Sequence, residues 1–276
     1  MNRNRLNIMS LTLRVHQISF SSNKIENMNT ILHFVDESDA YLDVFPEYAM
    51  GVPPGGLNTQ FVHENAEPLN GEFVKTIVGK TDEKSSAIVF TAYLKERDGV
   101  YNASILAEKG EIKAVYRKIH LFDAFGYRES DVFAPGKELA ITDLKDFKIG
   151  LAVCFDLRFP ELFRVMAQRG VNLFIVPSAW FKGKHKITQW RALTLVRSHE
   201  NNSYLIAVDQ ANPFFIGHSI ATSPLGYVIK EADEEQKSFT VHLEYEIIEK
   251  SKQSLPMISL SKHTLYKKLF SLANNK

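Results

Sequence analysis

Short apolar runs alternate with amphipathic stretches along most of the chain. Residues 11–20 largely alternate apolar with polar side chains and predict a strand. Residues 25–35 place Ile25, Met28, Ile31, Leu32 and Val35 at helical spacing. Residues 40–45 predict a second strand running into Pro46-Glu47-Tyr48, and the Gly/Pro cluster at 51–56 predicts a loop. A helix is expected over 72–80, a strand over 87–94, and a hairpin from 100–107 and 111–116 around Lys109-Gly110. The pattern is irregular from Leu121 to Pro135-Gly136. It then resumes with strands at 139–142, 147–153, 171–176 and 204–209, and helices at 161–169 and 187–202. Shorter strands are expected at 218–222, 227–229 and 239–243. Beyond Glu249 the chain reads as a polar tail with scattered anchors at Leu255, Ile258 and Leu265, and residues 1–10 as a loose extension.

Hairpin signals mixed with strand–helix–strand units predict mixed sheets covered by helices. No linker, composition break or solenoid-length repeat divides the chain, so one layered α/β domain over residues 11–270 is the simplest organisation.

Composition narrows the function class. The chain has 276 residues, 45% hydrophobic and 24% charged, enough to bury a large core. A formal net charge of +1 gives no general attraction to nucleic acid. No apolar run reaches membrane-spanning length, and the N-terminus lacks the apolar centre of a signal peptide. One cysteine cannot form an intrachain disulfide, and no Cys/His cluster points to a metal. This fits a reducing, cytoplasmic setting.

That cysteine is delivered by a mostly apolar strand into the polar turn Cys154-Phe155-Asp156-Leu157-Arg158-Phe159-Pro160-Glu161. Pro160 suits the first position of a helix, and Gly170 suits its end. Cys154 is therefore expected near a helix N-terminus, a position that favours thiolate over thiol. A lone cysteine is more often a small buried hydrophobe than a reactive group. Glu47 and Lys118, however, also lie at or just past strand ends, where reacting groups gather in α/β folds. Together the three supply a nucleophile, a base and a cation for a developing oxyanion.

Three segments carry a family resemblance: Phe45-Pro46-Glu47-Tyr48, Tyr116-Arg117-Lys118-Ile119-His120-Leu121-Phe122, and the turn from Cys154 to Glu161. In order and separation they resemble the three signature motifs of the nitrilase superfamily, the carbon–nitrogen hydrolases. Pro177-Ser178-Ala179-Trp180, Gly217-His218-Ser219 and Pro224-Leu225-Gly226 add to the match. The resemblance implies a four-layer αββα sandwich, with subunits paired as homodimers or larger assemblies. The segment 197–201 and the C-terminal tail are candidate interface parts.

The resemblance also implies roles. Cys154 attacks an amide or nitrile carbon, Glu47 moves the protons, and Lys118 with the backbone N–H of Phe155 stabilises the oxyanion. Glu129, in Arg128-Glu129-Ser130, orients the lysine and the substrate. His120 has at most a supporting part. Phe155-Asp156 after the cysteine departs from the Trp-Glu of true nitrilases. It resembles the amidase branch that includes ω-amidases and deaminated-glutathione amidases, with N-carbamoyl amino acid hydrolases as neighbours. Arg158 is a candidate clamp for a substrate carboxylate, or else ties its loop to Glu161 or another carboxylate. Trp180 is the favoured pocket wall among Phe125, Tyr127, Trp180 and Phe181. The expected partners are a small amide and water, with no metal or organic cofactor. Asn102-Ala103-Ser104 matches a glycosylation sequon but falls in a predicted strand.

Overall fold

The computed structural model describes residues 9–273. Its first half runs β1 (Ser10–Gln17), α1 (Lys24–Asp36), β2 (Leu42–Val44), α2 (Thr59–Asn65), α3 (Glu72–Lys84), β3 (Ala87–Glu96), β4 (Gly99–Glu108) and β5 (Glu111–Arg117). A small hairpin, β6 (Asp123–Ala124) and β7 (Tyr127–Arg128), leads into a 3-10 turn at Glu129–Asp131. The second half runs β8 (Ala140–Leu144), β9 (Phe147–Leu151), a 3-10 turn at Cys154–Arg158, α4 (Pro160–Gln168), β10 (Leu173–Pro177), α5 (Lys186–His199) and β11 (Tyr204–Val208). β12 (Ile220–Thr222), β13 (Val228–Glu231), β14 (Lys237–Glu244), α6 (Tyr245–Ser254), α7 (Met257–Leu260) and α8 (His263–Ala273) complete it.

The strands form two six-stranded sheets, ordered β14-β1-β2-β3-β4-β5 and β13-β12-β11-β10-β9-β8. In each, three central strands are parallel and the flanking strands antiparallel. Parallel neighbours need crossovers, and α1, α3, α4 and α5 supply them. Alternation along the strands sets the layers. Leu13 and Val15 on β1, Val89 on β3 and Leu106 on β4 turn inward to share one core with Ile149, Leu173 and Leu205 of the other sheet. Ile88, Phe90 and Ile105 turn outward under Met28 and Ile31 of α1 and Phe73 and Ile77 of α3. Across the molecule Phe174 meets Phe163 of α4 edge-on, with ring centroids 5.1 Å apart. The order helix, sheet, sheet, helix is the αββα sandwich.

Local chemistry fixes the helix starts. The Asn23 side chain accepts from the backbone N–H of Ile25 (2.9 Å) and Glu26, capping α1, and Asn58 does the same for Phe61 in α2. Pro160 opens α4 as expected, and Gly170 follows its end at φ +90°.

Several expectations are corrected. The loose extension at residues 1–10 lies outside the described residues as far as residue 8. Ser10 is already in β1, paired with Glu244. The stretch after Leu121 is not wholly irregular, since it carries the β6–β7 hairpin. The C-terminal tail is helical, and of its expected anchors only Ile258 packs on the core, Leu255 and Leu265 being exposed. In segment 197–201, Arg197, Ser198 and Asn201 are buried within the chain while His199 and Glu200 stay half-buried, and Arg197 donates from Nε to the carbonyl of Leu157 at 3.1 Å.

The parallel strands β2, β9, β10 and β11, joined by the edge strand β5, deliver their ends to one edge of the sandwich. Glu47 follows β2, Lys118 follows β5, Cys154 follows β9, Ala179 follows β10 and Asp209 follows β11. The Lys118 strand end is held by Gly136, whose N–H donates to the Lys118 carbonyl at 2.8 Å. A Cβ on Gly136 would lie 2.1 Å from the Arg117 carbonyl oxygen. Gly136→Ala should therefore cost about 1–3 kcal/mol by overpacking, lowering the melting temperature by several degrees in a thermal scan and displacing Lys118.

Candidate active site

Lys118 is the centre of the cluster. It is 1% exposed, and its ammonium lies 2.9 Å from Glu47 Oε1 and 2.8 Å from Glu129 Oε2. Both carboxylates are fully buried. Isolated charges at such depth are prohibitive, so each needs several partners. Glu47 Oε2 accepts from the backbone N–H of Ala179 at 2.9 Å, and Glu129 Oε2 from that of Phe122 at 2.7 Å. The Tyr48 hydroxyl donates to Glu129 Oε1 at 3.3 Å.

Asn102, in the middle of β4, completes the cage. Its Nδ2 donates to Glu47 Oε1 at 2.8 Å and to Glu129 Oε1 at 3.0 Å, while its Oδ1 has no partner among the described residues. The sequence reading met Asn102 only as a sequon; its complete burial rules out that use. Hydrophobic patterning gave a signal, since Asn102 is a polar residue inside an apolar strand that is buried on both faces.

The electrostatics follow from this packing. Burial pushes the Glu47 carboxyl up, opposed by the Lys118 ammonium and reinforced by Glu129. Burial pulls Lys118 down, but Glu129 and Glu47 outweigh it and hold the ammonium well above its usual range. The Cys154 thiol is pushed well up, first by burial and then by Glu47, against Lys118. The expected preference for thiolate is thus overturned. Cys154 sits on a 3-10 turn ahead of α4, and the neighbouring carboxylate and low polarity outweigh the helix end.

Cys154 has φ +45°, in the left-handed region that a side chain adopts at a cost. Asp156 over-determines the turn. Its carboxylate accepts from the Val153 N–H (2.8 Å), the Tyr116 hydroxyl (2.9 Å) and the backbone N–H of His120 (3.2 Å), and pairs with His120 Nδ1 at 2.7 Å. His120 also stacks on Phe159 at 3.7 Å, consistent with a supporting part.

A small pocket of about 330 Å³, including its mouth, exposes Cys154 and Lys118 between Phe122, Phe155, Arg158 and Trp180. Phe181 and Lys186 also line it; Phe125 is 83% exposed and Tyr127 lines a neighbouring groove. Arg158 does not reach Glu161. Its Nη2 donates to Gln189 Oε1 at 3.0 Å, and its guanidinium lies 4.6 Å from the Trp180 ring centroid. Lys186, which sequence reading missed, lies over Phe125 at 4.7 Å. Burial pulls both cations down, and Arg158 lowers Lys186 further. Among the described residues neither forms an ion pair, and the buried indole N–H of Trp180 has no acceptor. Nothing marked Lys186 in sequence, because it opens a surface helix in which lysine is ordinary.

A buried Cys, Lys and pair of Glu are thus brought together at one edge of an αββα sandwich. Residues 12–250 match the family model for carbon–nitrogen hydrolase, and the chain belongs to that family. It is accordingly a hydrolase acting on carbon–nitrogen bonds. It is 31% identical over 246 residues to a Mycobacterium tuberculosis protein named only as a hydrolase, covering 80% of this chain and 85% of that one. It is 28% identical over 270 residues to the zebrafish (Danio rerio) omega-amidase NIT2, covering 92% and 95%. The crystal structure of Saccharomyces cerevisiae Nit3, a nitrilase-superfamily member, superposes with a TM-score of 0.81 at 26% identity, covering 92% and 97%.

Removing the shared donor should expose the strain in this cluster. Asn102→Ala should destabilise the protein by roughly 2–3 kcal/mol. Asn102→Asp should do more, by adding a third carboxylate. That carboxyl would have a raised folded-state pKa, so the stability it withholds at pH 7 returns as pH falls. Urea melts at pH 5 and pH 7 check the sign.

Proposed function

We propose that the chain is a cysteine-dependent amidase acting on small amides that carry a carboxylate, similar to an ω-amidase. Glu47 takes the Cys154 proton as sulfur attacks the amide carbon. The Lys118 ammonium and the Phe155 N–H receive the oxyanion. Glu47 returns its proton to the nitrogen, the C–N bond breaks, and the amine leaves from a thioester. Water then attacks with Glu47 as base, the acid departs, and Cys154 regains its proton. Glu129 holds the lysine, and no metal or organic cofactor takes part.

A neutral resting thiol suits this cycle, because burial raises the Glu47 carboxyl as well as the thiol and makes Glu47 a stronger proton acceptor than an ordinary carboxylate. The observation that carries the substrate class is the pocket wall of Arg158 and Lys186, two cations with no counter-ion among the described residues. A carboxylate on the substrate would pair with both.

The same reading takes residues 11–270 as one domain of a cytoplasmic homodimer or larger homo-oligomer. Among the described residues no helix is long and apolar enough to cross a membrane. The exposed Leu265, Leu269 and Phe270 of α8 are the apolar face that pairing would cover. Sedimentation at micromolar concentration should give at least a dimer, and a clean monomer would remove that part.

The decisive assay measures hydrolysis across α-ketoglutaramate, glutamine, deaminated glutathione, a simple aliphatic amide, a nitrile and an N-carbamoyl amino acid. Acid-bearing amides should be cleaved, and Cys154→Ala should abolish cleavage. Arg158→Met should raise KM for them about 30-fold, roughly 2 kcal/mol, with little change for the aliphatic amide. Because Glu47 must be ionised and its pKa is raised, kcat/KM should fall with acidification at a pH above the ordinary glutamate range. A low-pH limb near 4.5, the ordinary value, would count against Glu47 as the base.

A further inference from the structure

Next to the pocket lies a larger groove that the proposed reaction leaves unused. It encloses about 1450 Å³ with its open mouth, against about 330 Å³ for the pocket. Phe20, Val52, Pro54, Leu57 and Phe214 contribute to its walls, and no charged side chain lines it. Only Tyr48 and Phe181 line both spaces.

These two shared walls differ. Tyr48 is buried, with its hydroxyl committed to Glu129. Phe181 is 37% exposed and stands among other rings, 5.0 Å from Phe215, 6.1 Å from Phe122 and 6.3 Å from Tyr127 between centroids. Its backbone is pinned independently of the ring by a bridge to Phe215, and the next N–H, of Lys182, donates to the Phe214 carbonyl at 2.8 Å. The ring can therefore be removed without freeing the segment.

The groove also lies on a defined side of the chemistry. Gln210 lines it and donates from Nε2 to the Glu47 carbonyl at 2.8 Å, and Tyr48 directly follows Glu47. Arg158 and Lys186 line the pocket but not the groove. A substrate whose carboxylate meets those cations turns its nitrogen toward Glu47, the group that protonates it. Any substituent on that nitrogen then points at Phe181.

We propose that Phe181 is a partition that restricts the leaving group to ammonia or a comparably small amine, and that removal of its ring opens the groove behind it to an apolar N-substituent. The orientation of the substrate rests on the amidase reading; the partition itself rests on the two cavities. When the C–N bond of the tetrahedral adduct breaks, the nitrogen leaves with the Glu47 proton whatever it carries, so only space separates primary from N-substituted amides.

The test uses succinamic acid and its N-benzyl analogue with the full-length wild type and Phe181→Ala. The wild type should prefer the primary amide by about 100-fold or more, and the variant should narrow that ratio at least about tenfold by gaining on the benzyl amide. Equal wild-type rates, or proportional loss on both substrates in the variant, would overturn the partition. A second arm needs no turnover. Cys154 is the only cysteine, so mass spectrometry can follow its alkylation by iodoacetamide and by N-benzyliodoacetamide. The benzyl reagent should lag in the wild type and catch up in Phe181→Ala; equal labelling of the wild type overturns the partition. Silence in the hydrolysis arm with the expected labelling would count against the amidase reading alone.

Discussion

A buried ammonium held between two buried carboxylates sets the terms for the rest of this molecule. Lys118, Glu47 and Glu129 would each be ruinous alone in a low-polarity interior, and together they still leave an excess of negative charge. The fold answers with fixed donors: Asn102 on β4, the Ala179 N–H beyond β10, the Phe122 N–H and the Tyr48 hydroxyl. None of these can move far without orphaning a charge. Burial first, and Glu47 after it, keep the neighbouring sulfur protonated at rest, so the nucleophile is inert until a base is free to accept its proton.

The nucleophile turn is the second constraint. Left-handed backbone at Cys154 and Tyr48, with φ of 45° and 63°, is affordable only where the surroundings leave no alternative. Asp156 grips the turn from within through four contacts, and Arg197 reaches across from α5 to the Leu157 carbonyl. Arg197 and His120, which look like reactive or interfacial groups in a linear sequence, therefore act as scaffolding for a strained corner.

The central strands and the four crossover helices were legible because burial on both faces or on one stripe leaves a strong period, as in Ala87–Glu96 or Lys24–Asp36. Glu47, Lys118 and Cys154 were legible because each follows such a strand. What escaped has physical reasons. α2 spans only Thr59–Asn65 and buries one residue, Val62, too little for a period. α8 carries Leu265, Leu269 and Phe270 outward, so its pattern has no core to point to. Asn102 and Lys186 matter through neighbours far away in sequence, and the thiol's upward shift comes first from burial and then from a carboxylate brought in from the other sheet.

Glu47, Asn102 and Lys118 come from the first sheet, and Cys154 and Ala179 from the second, so the reaction centre is a seam between two halves that share an apolar interior. Each sheet is hydrogen-bonded within itself, with β14 returning from late in the chain to pair with β1. The seam exists only once the halves have docked and expelled water, and docking must bury three charges at once. Docking is therefore the costly, late event of assembly, and regain of catalysis in a refolding reaction should trail the far-ultraviolet signal. The enzyme carries, in its chemistry, a reporter of its own final folding step.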